Sequence, residues 1–151
     1  MRGKYFNHKV KVDGEVFDSR LEYQRFLFLQ DAERRGEIRN LQRQVPFEII
    51  PKQTVIVKVE LKTKTKFEEK EVEKPAYYVA DFVYEKRVRN KAVVYTLSGE
   101  QQGTYDTWHT VVEDTKSKMT RSLADFRLKK KLLRYHLGIA LREVLKPTEE
   151  I

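Results

Sequence analysis

The chain has 151 residues, with 31 Lys+Arg against 23 Asp+Glu, a formal charge of +8 and a pI near 9.6. That positive excess points toward a polyanionic partner, most simply nucleic acid, because neutralised phosphates release counterions. The absence of cysteine excludes a disulfide framework, a thiolate zinc site and a cysteine nucleophile, and it fits a reducing, cytoplasmic setting.

In chain order, the opening MRGKYFNHKV is charged and lacks the apolar run of a signal peptide. No apolar segment approaches the ~18–20 residues of a membrane span. With four prolines, six glycines and no low-complexity linker, the sequence predicts one domain over 1–151, with its core at about 17–145. KVKVDGEVFDS carries an Asp13-Gly14 turn signal and predicts a small hairpin. A helix is predicted from about Ser19 to Arg35, with Leu21, Leu27, Phe28 and Ala32 on its apolar face and Gly36 ending it. QVPFEIIP reads as a strand bounded by Pro46 and Pro51. TVIVKVELK and FEEKEVEK read as a projecting β-ribbon, an insertion at about 54–74.

AYYVADFVYEK is the most apolar strand candidate. AVVYTLSGEQQGTYDTWHTVVEDTK reads as a separate long hairpin turning within Ser98–Gly103, with an inserted ribbon at about 90–110. SLADFRLKKKLLRYHLG predicts a basic amphipathic helix ended by Gly138, with Leu123, Phe126, Leu133 and Leu137 toward a sheet. IALREVL predicts a last short strand. The order of elements indicates an α/β fold, a mixed sheet flanked by helices.

Three acids stand out. Asp81 lies inside a strand run, where a carboxylate is costly unless it meets water, a cation or a basic partner. In VVEDTK, strand alternation sets Asp114 and Lys116 on one face and Glu113 on the other. A divalent cation takes carboxylate and carbonyl oxygens, and a neighbouring lysine can activate water or neutralise phosphate charge. The plain alternatives are an edge-strand ion pair for Asp81 and a local charge pair at a strand end for Asp114 and Lys116. Glu22, in Ser19-Arg20-Leu21-Glu22, also fits a helix capping box that returns to the Ser19 amide.

Taken in order, SRLEYQRF, YVADFVY and VVEDTK resemble the PD-(D/E)XK nuclease superfamily, and more closely small phage-encoded Holliday-junction-resolvase-like endonucleases. The likeness runs from about Phe17 to Val144. It implies a restriction-endonuclease-like sheet with flanking helices and Mg²⁺-dependent hydrolysis of phosphodiesters in branched DNA, with Mn²⁺ able to substitute. By the resemblance, Asp81, Asp114 and the Thr115 main-chain carbonyl would hold the metal. Lys116 would activate the water, and Glu22 would complete the site directly or through water. Gln44 and, one register step away, Glu113 are accessory candidates. Ser117 departs from the glycine usual after the lysine. The resemblance also implies a homodimer and a phage or mobile-element setting.

Arg127, Lys129, Lys130, Lys131 and Arg134 on the late helix are the candidate phosphate-contact stripe. His8, His109 and His136 show no ligand spacing, and Trp108 reads as a packing residue. The rival readings are an inactive nucleic-acid-binding protein of the same fold and a phage assembly protein.

Overall fold

A computed structural model describes residues 9–118 and 120–151. Residues 1–8 of the N-terminal stretch read for a signal peptide, His8 among them, lie outside the described residues. The chain opens with hairpin β1 (Val10–Val12) and β2 (Glu15–Phe17), turning at Asp13 and Gly14, both at positive φ. This is the two-residue turn that Asp-Gly favours. Helix α1 (Arg20–Arg34) follows, and Gly36 at φ 71° ends it as predicted. Its buried stripe is Glu22, Arg25, Leu29 and Ala32, whereas the predicted face included Leu27, which is exposed. Two charged side chains occupy core positions, so apolar periodicity alone misplaces the face.

β3 (Ile38–Ile50) begins well before Pro46. Proline is tolerated inside it because β3 is the edge strand of the sheet. β4 (Gln53–Glu60) and β5 (Thr65–Glu73) form the expected separate ribbon. The next two predicted pieces are one strand. β6 runs unbroken over Ala76–Thr96, and it turns at Leu97-Ser98, not within 98–103, into β7 (Gly99–Thr115). The inserted ribbon at about 90–110 is therefore the far half of the β6–β7 hairpin. A 3-10 turn (Thr120–Ser122), α2 (Ala124–Leu137, ended by Gly138 at φ 67°) and β8 (Arg142–Val144) complete the chain. The main sheet has the order β3-β6-β7-β8, antiparallel except for β7–β8. The protein is thus mixed α/β, with a strand-rich sheet and two helices. No described helix is long and apolar enough to cross a membrane.

The sheet buries both faces. Phe82, Tyr84 and Ile38 pack with Leu29 and Ala32 of α1; Tyr78, Ala80, Ile49 and Val112 pack with Phe126 and Leu133 of α2. Leu123 and Leu137, also predicted to face the sheet, are largely exposed. Ala80 and Phe82 are two residues apart on one strand yet lie in different cores. Alternation therefore breaks at Asp81.

The neighbouring strand breaks at the same level. Arg43 lies over the rings of Phe17 and Phe26 on the α1 side, while Phe47 packs on the α2 side. Gln44 between them has φ 50°. One irregular residue in each strand leaves the pairing intact, with Arg43 opposite Phe82 and Val45 opposite Ala80. A non-glycine residue held at positive φ costs about 1–3 kcal/mol, and such strain gathers where side chains are aimed for function.

Candidate active site

Three carboxylates from distant parts of the chain meet around this break. Glu22 reaches it from the first turn of α1. Ser19 Oγ accepts the Glu22 N–H at 3.1 Å, so the helix is capped as the sequence indicates. Glu22 does not return to the Ser19 amide: its Oε2 accepts from the Asp18 N–H at 2.7 Å. Its Oε1 is left for Gln44 Nε2, which donates at 2.9 Å and also lies 3.4 Å from Asp81 Oδ1. The reciprocal half of the capping box is therefore absent: one Glu22 oxygen holds the Asp18 N–H ahead of the helix and the other faces Gln44.

Asp81 Oδ2 accepts from the Thr115 N–H at 2.9 Å and the Thr115 hydroxyl at 2.8 Å. Lys116 Nζ lies 3.9 Å from that oxygen and 3.0 Å from Asp114 Oδ2. Asp114 Oδ1 accepts from the Asp81 N–H at 2.7 Å, and Oδ2 also accepts from the Tyr78 hydroxyl. The result is an alternating row: Glu22, the Gln44 amide, Asp81, the Lys116 ammonium, Asp114. Each nitrogen separates two acids. Among the described residues, no three His, Cys, Asp or Glu side chains come together with the spacing of a metal cage.

The row is nearly dry: Glu22 and Asp114 are each 1% exposed and Asp81 is 9%. Burial, and then repulsion from Asp81, raise the Glu22 carboxyl above the usual carboxylate range. The same two causes raise Asp114, against the opposing pull of Lys116 and the Tyr78 hydrogen bond. Burial, and then the Asp114 charge, push the Tyr78 hydroxyl upward, so it stays a donor.

A cleft of about 280 Å³ opens onto one side of the row, lined by Asp18, Ser19, Glu22, Asp81, Thr115 and Lys116 among others. Asp114 is not on this wall; it faces a second cleft with Tyr78, Lys116, Phe126 and Lys129. Lys116 borders both. The oxygens of Glu22 and Asp81 that converge on one amide are the hard donors a divalent cation takes. Such an ion in the first cleft would meet these two carboxylates first, since protein donors already hold both Asp114 oxygens.

β7 has the register expected from alternation. Val112 and Asp114 lie on the α2 side and Glu113 on the α1 side. Glu113 is fully buried. It accepts from Arg25 Nε at 2.7 Å, Arg25 Nη2 at 3.1 Å and the Tyr84 hydroxyl at 2.8 Å. Its place as an accessory site residue is corrected by this geometry, because it lies across the sheet from Lys116. Gln44, by contrast, stands in the middle of the row.

The basic residues of α2 do not form one stripe. Arg127, Lys131 and Arg134, at i, i+4 and i+7, share an exposed side of the helix. Lys130 is tied to Glu143 of β8, and Lys129 lines the second cleft. Trp108 is half-buried beneath the Arg39 guanidinium at 4.2 Å, outside both cores.

Two members of the surroundings carry no signal in the sequence. Arg43 Nη2 lies 3.7 Å from Glu22 Oε1, and Tyr78 binds Asp114. Simple alternation would set Tyr78 on the α1 side, and only the break at Asp81 brings it round.

The chain is thus a mixed α/β protein with a buried acid row between its helices. Residues 2–106 match the model of the family described as "Protein of unknown function (DUF1064)", and the chain belongs to that family. The match takes in Glu22, Gln44 and Asp81 and stops short of Asp114, Lys116 and α2. No curated protein and no solved structure matches the chain.

Proposed function

We propose that the protein is a metal-dependent endodeoxyribonuclease of the restriction-endonuclease-like fold that hydrolyses phosphodiester bonds in branched DNA. The observation that carries this is the row itself. Three acids and a lysine, brought together from α1, β6 and the end of β7, form one row between two clefts that share Lys116, in a basic protein. Glu22 and Asp114 are held at raised affinity for protons by burial and by the Asp81 charge between them. Perturbed carboxyls gathered beside a cleft are typical of functional sites, and a bound cation would relieve their repulsion.

Glu22 and Asp81 would hold Mg²⁺ or Mn²⁺, with the Thr115 carbonyl as a further oxygen, while Asp114, on the second cleft, would hold Lys116 in place. When bound, the ion supplies charge neutralisation at the phosphate and acidifies an attacking water. The chain supplies the rest. Lys116 holds its ammonium where the two clefts meet, able to orient the water or stabilise charge developing on phosphorus oxygens. Gln44 keeps Glu22 and Asp81 apart and, turned about its amide axis, offers an oxygen in place of its N–H₂. Lys129 and the Arg127, Lys131 and Arg134 side of α2 bring in the phosphate backbone without reading sequence.

Incubation with four-way, flap, linear duplex and single-stranded DNA plus Mg²⁺ or Mn²⁺ tests the proposal. Cleavage of the branched substrates is expected, lowered by about 10²–10⁴ in Lys116→Ala. Binding of DNA with no cleavage of any substrate would leave a binding module instead.

A second expectation needs no activity. Mn²⁺ at a hundredfold excess over its dissociation constant should stabilise the fold by about 2.7 kcal/mol. Several degrees in Tm should follow for a chain of this size. Asp81→Asn should lose most of the shift in differential scanning fluorimetry. An equal shift in both proteins would put the ion elsewhere.

A further inference from the structure

The β6–β7 hairpin outruns the sheet. β3 leaves β6 at Lys86, one more bond joins the Arg87 N–H to the Glu37 carbonyl, and β8 pairs only with Glu113–Thr115. From Val88↔Thr107 to Thr96↔Gly99 the two strands pair only with each other among the described residues. Nine residues of β6 thus form an arm about 30 Å long with both outer edges open. A two-stranded ribbon is marginal in water without something against it.

The chemistry of the arm narrows what that can be. The chain as a whole is 36% charged, yet from Ala92 to Tyr105 Glu100 is the only charged residue. A phosphate-gripping arm needs cations, and the β4–β5 ribbon, with Lys58, Lys62, Lys64 and Lys66 near its turn, has them. The β6–β7 arm instead exposes Val93, Val94, Tyr95 (79%) and Leu97, the last fully. These apolar residues belong to β6 and its turn, and the β7 residues opposite are Glu100, Gln101 and Gln102. Toward the tip one edge strand is apolar and the other polar, while nearer the base β6 carries Arg89 and Lys91 and β7 exposes Tyr105. Apolar edges are the ones that recruit another strand.

We infer that the β6 edge of this arm pairs antiparallel with the β6 edge of a second copy of the chain. The two arms would join as a four-stranded ribbon, with the valine-rich strands inside and the glutamine-bearing strands outside. Two copies each carrying +8 repel, and the arm from Ala92 to Tyr105 brings no cation of its own to the contact. A two-fold axis near Val94 sets Val93 opposite Tyr95 of the partner subunit, so the edge is self-complementary as an isologous contact requires. With β6 ending at Thr96, that axis pairs Ala92–Thr96 of the two copies, five residues making about five backbone hydrogen bonds, roughly half the ~10 of an ordinary interface. The area is smaller than the ~800 Å² per partner of such interfaces, so the dimer should dissociate on dilution.

The native absence of cysteine allows a clean test on the full chain. Val94→Cys should form an interchain disulfide under mild oxidation at least about tenfold faster than Ile56→Cys. Ile56 is similarly exposed, at 76%, on the other ribbon. Sedimentation should give a concentration-dependent dimer for the native chain. Val93→Lys/Tyr95→Lys should give a monomer with an unchanged circular dichroism spectrum, since the arm lies outside both cores.

Equal cross-linking rates, or a monomer at all concentrations, would overturn the inference. A monomer whose arm instead binds neutral lipid vesicles, or a dimer that persists in the double-lysine variant, would do the same. Each readout is a mass or a cross-link, so it stands whether or not the protein cleaves DNA.

Discussion

Glu113→Ala should destabilise the protein by about 3–5 kcal/mol while leaving the acid row in place. Glu113 lies one residue from Asp114, and a single register step would exchange their roles. The Arg25 guanidinium is fully buried and spends Nε and Nη2 on Glu113 and Nη1 on the Pro147 and Glu149 carbonyls, at 3.1 and 2.5 Å. Removing the carboxylate leaves that cation unpaired in the core and the Tyr84 hydroxyl without its acceptor. For a chain of this length the loss corresponds to a Tm lower by roughly 10 °C.

Replacing both partners by apolar side chains, Arg25→Met with Glu113→Leu, should recover most of the loss. The cost lies in the orphaned charge, since the pair itself is worth little against packed hydrocarbon. Thermal denaturation of the three proteins checks this. A Glu113→Ala protein with native Tm and no cleavage would make Glu113 part of the site instead.

The same residues explain how much of the fold was legible in the sequence. Turns and ends were written locally, by Asp13-Gly14 at the first hairpin and by Gly36 and Gly138 after the helices. The identity of the acids was legible because acids inside apolar strands are rare. The face of α1 was not, because Arg25 and Glu22 sit where apolar residues are expected, and each is satisfied by a partner far along the chain. The partnership of Tyr78 with Asp114 was hidden as well. It depends on Gln44 and Asp81 breaking alternation together across two strands, and nothing in either strand announces the other. The union of β6 into one strand does not show in the sequence because the polar stretch Arg87–Lys91 between the two predicted pieces resembles a loop. That stretch is instead held by cross-strand partners, Arg87 and Arg89 with Asp106.

Glu22→Gln separates the two jobs that Glu22 does. The amide side chain keeps one oxygen for the Asp18 N–H, and Gln44 can rotate its own amide to accept from the new N–H₂. Capping through Ser19 is untouched, so the ~1 kcal/mol at stake in that cap is retained. What disappears is one charge of the row. Cleavage, or Mn²⁺ affinity, should fall by about 10–100-fold or more, while Tm at neutral pH should hold or rise.

The sign follows from the shift. Burial and Asp81 raise the Glu22 carboxyl in the folded state, so the folded protein holds its proton to higher pH than the unfolded chain. The stability this gives is present at acid pH and is lost as pH rises through the folded value. The native protein should therefore trail Glu22→Gln most in Tm at neutral pH, and the gap should close on acidification toward the ordinary carboxylate range. A gap that widens toward acid would mean that Glu22 is held ionised by its neighbours, as in a structural ion pair. A Glu22→Gln protein with full activity would reduce Glu22 to a helix cap.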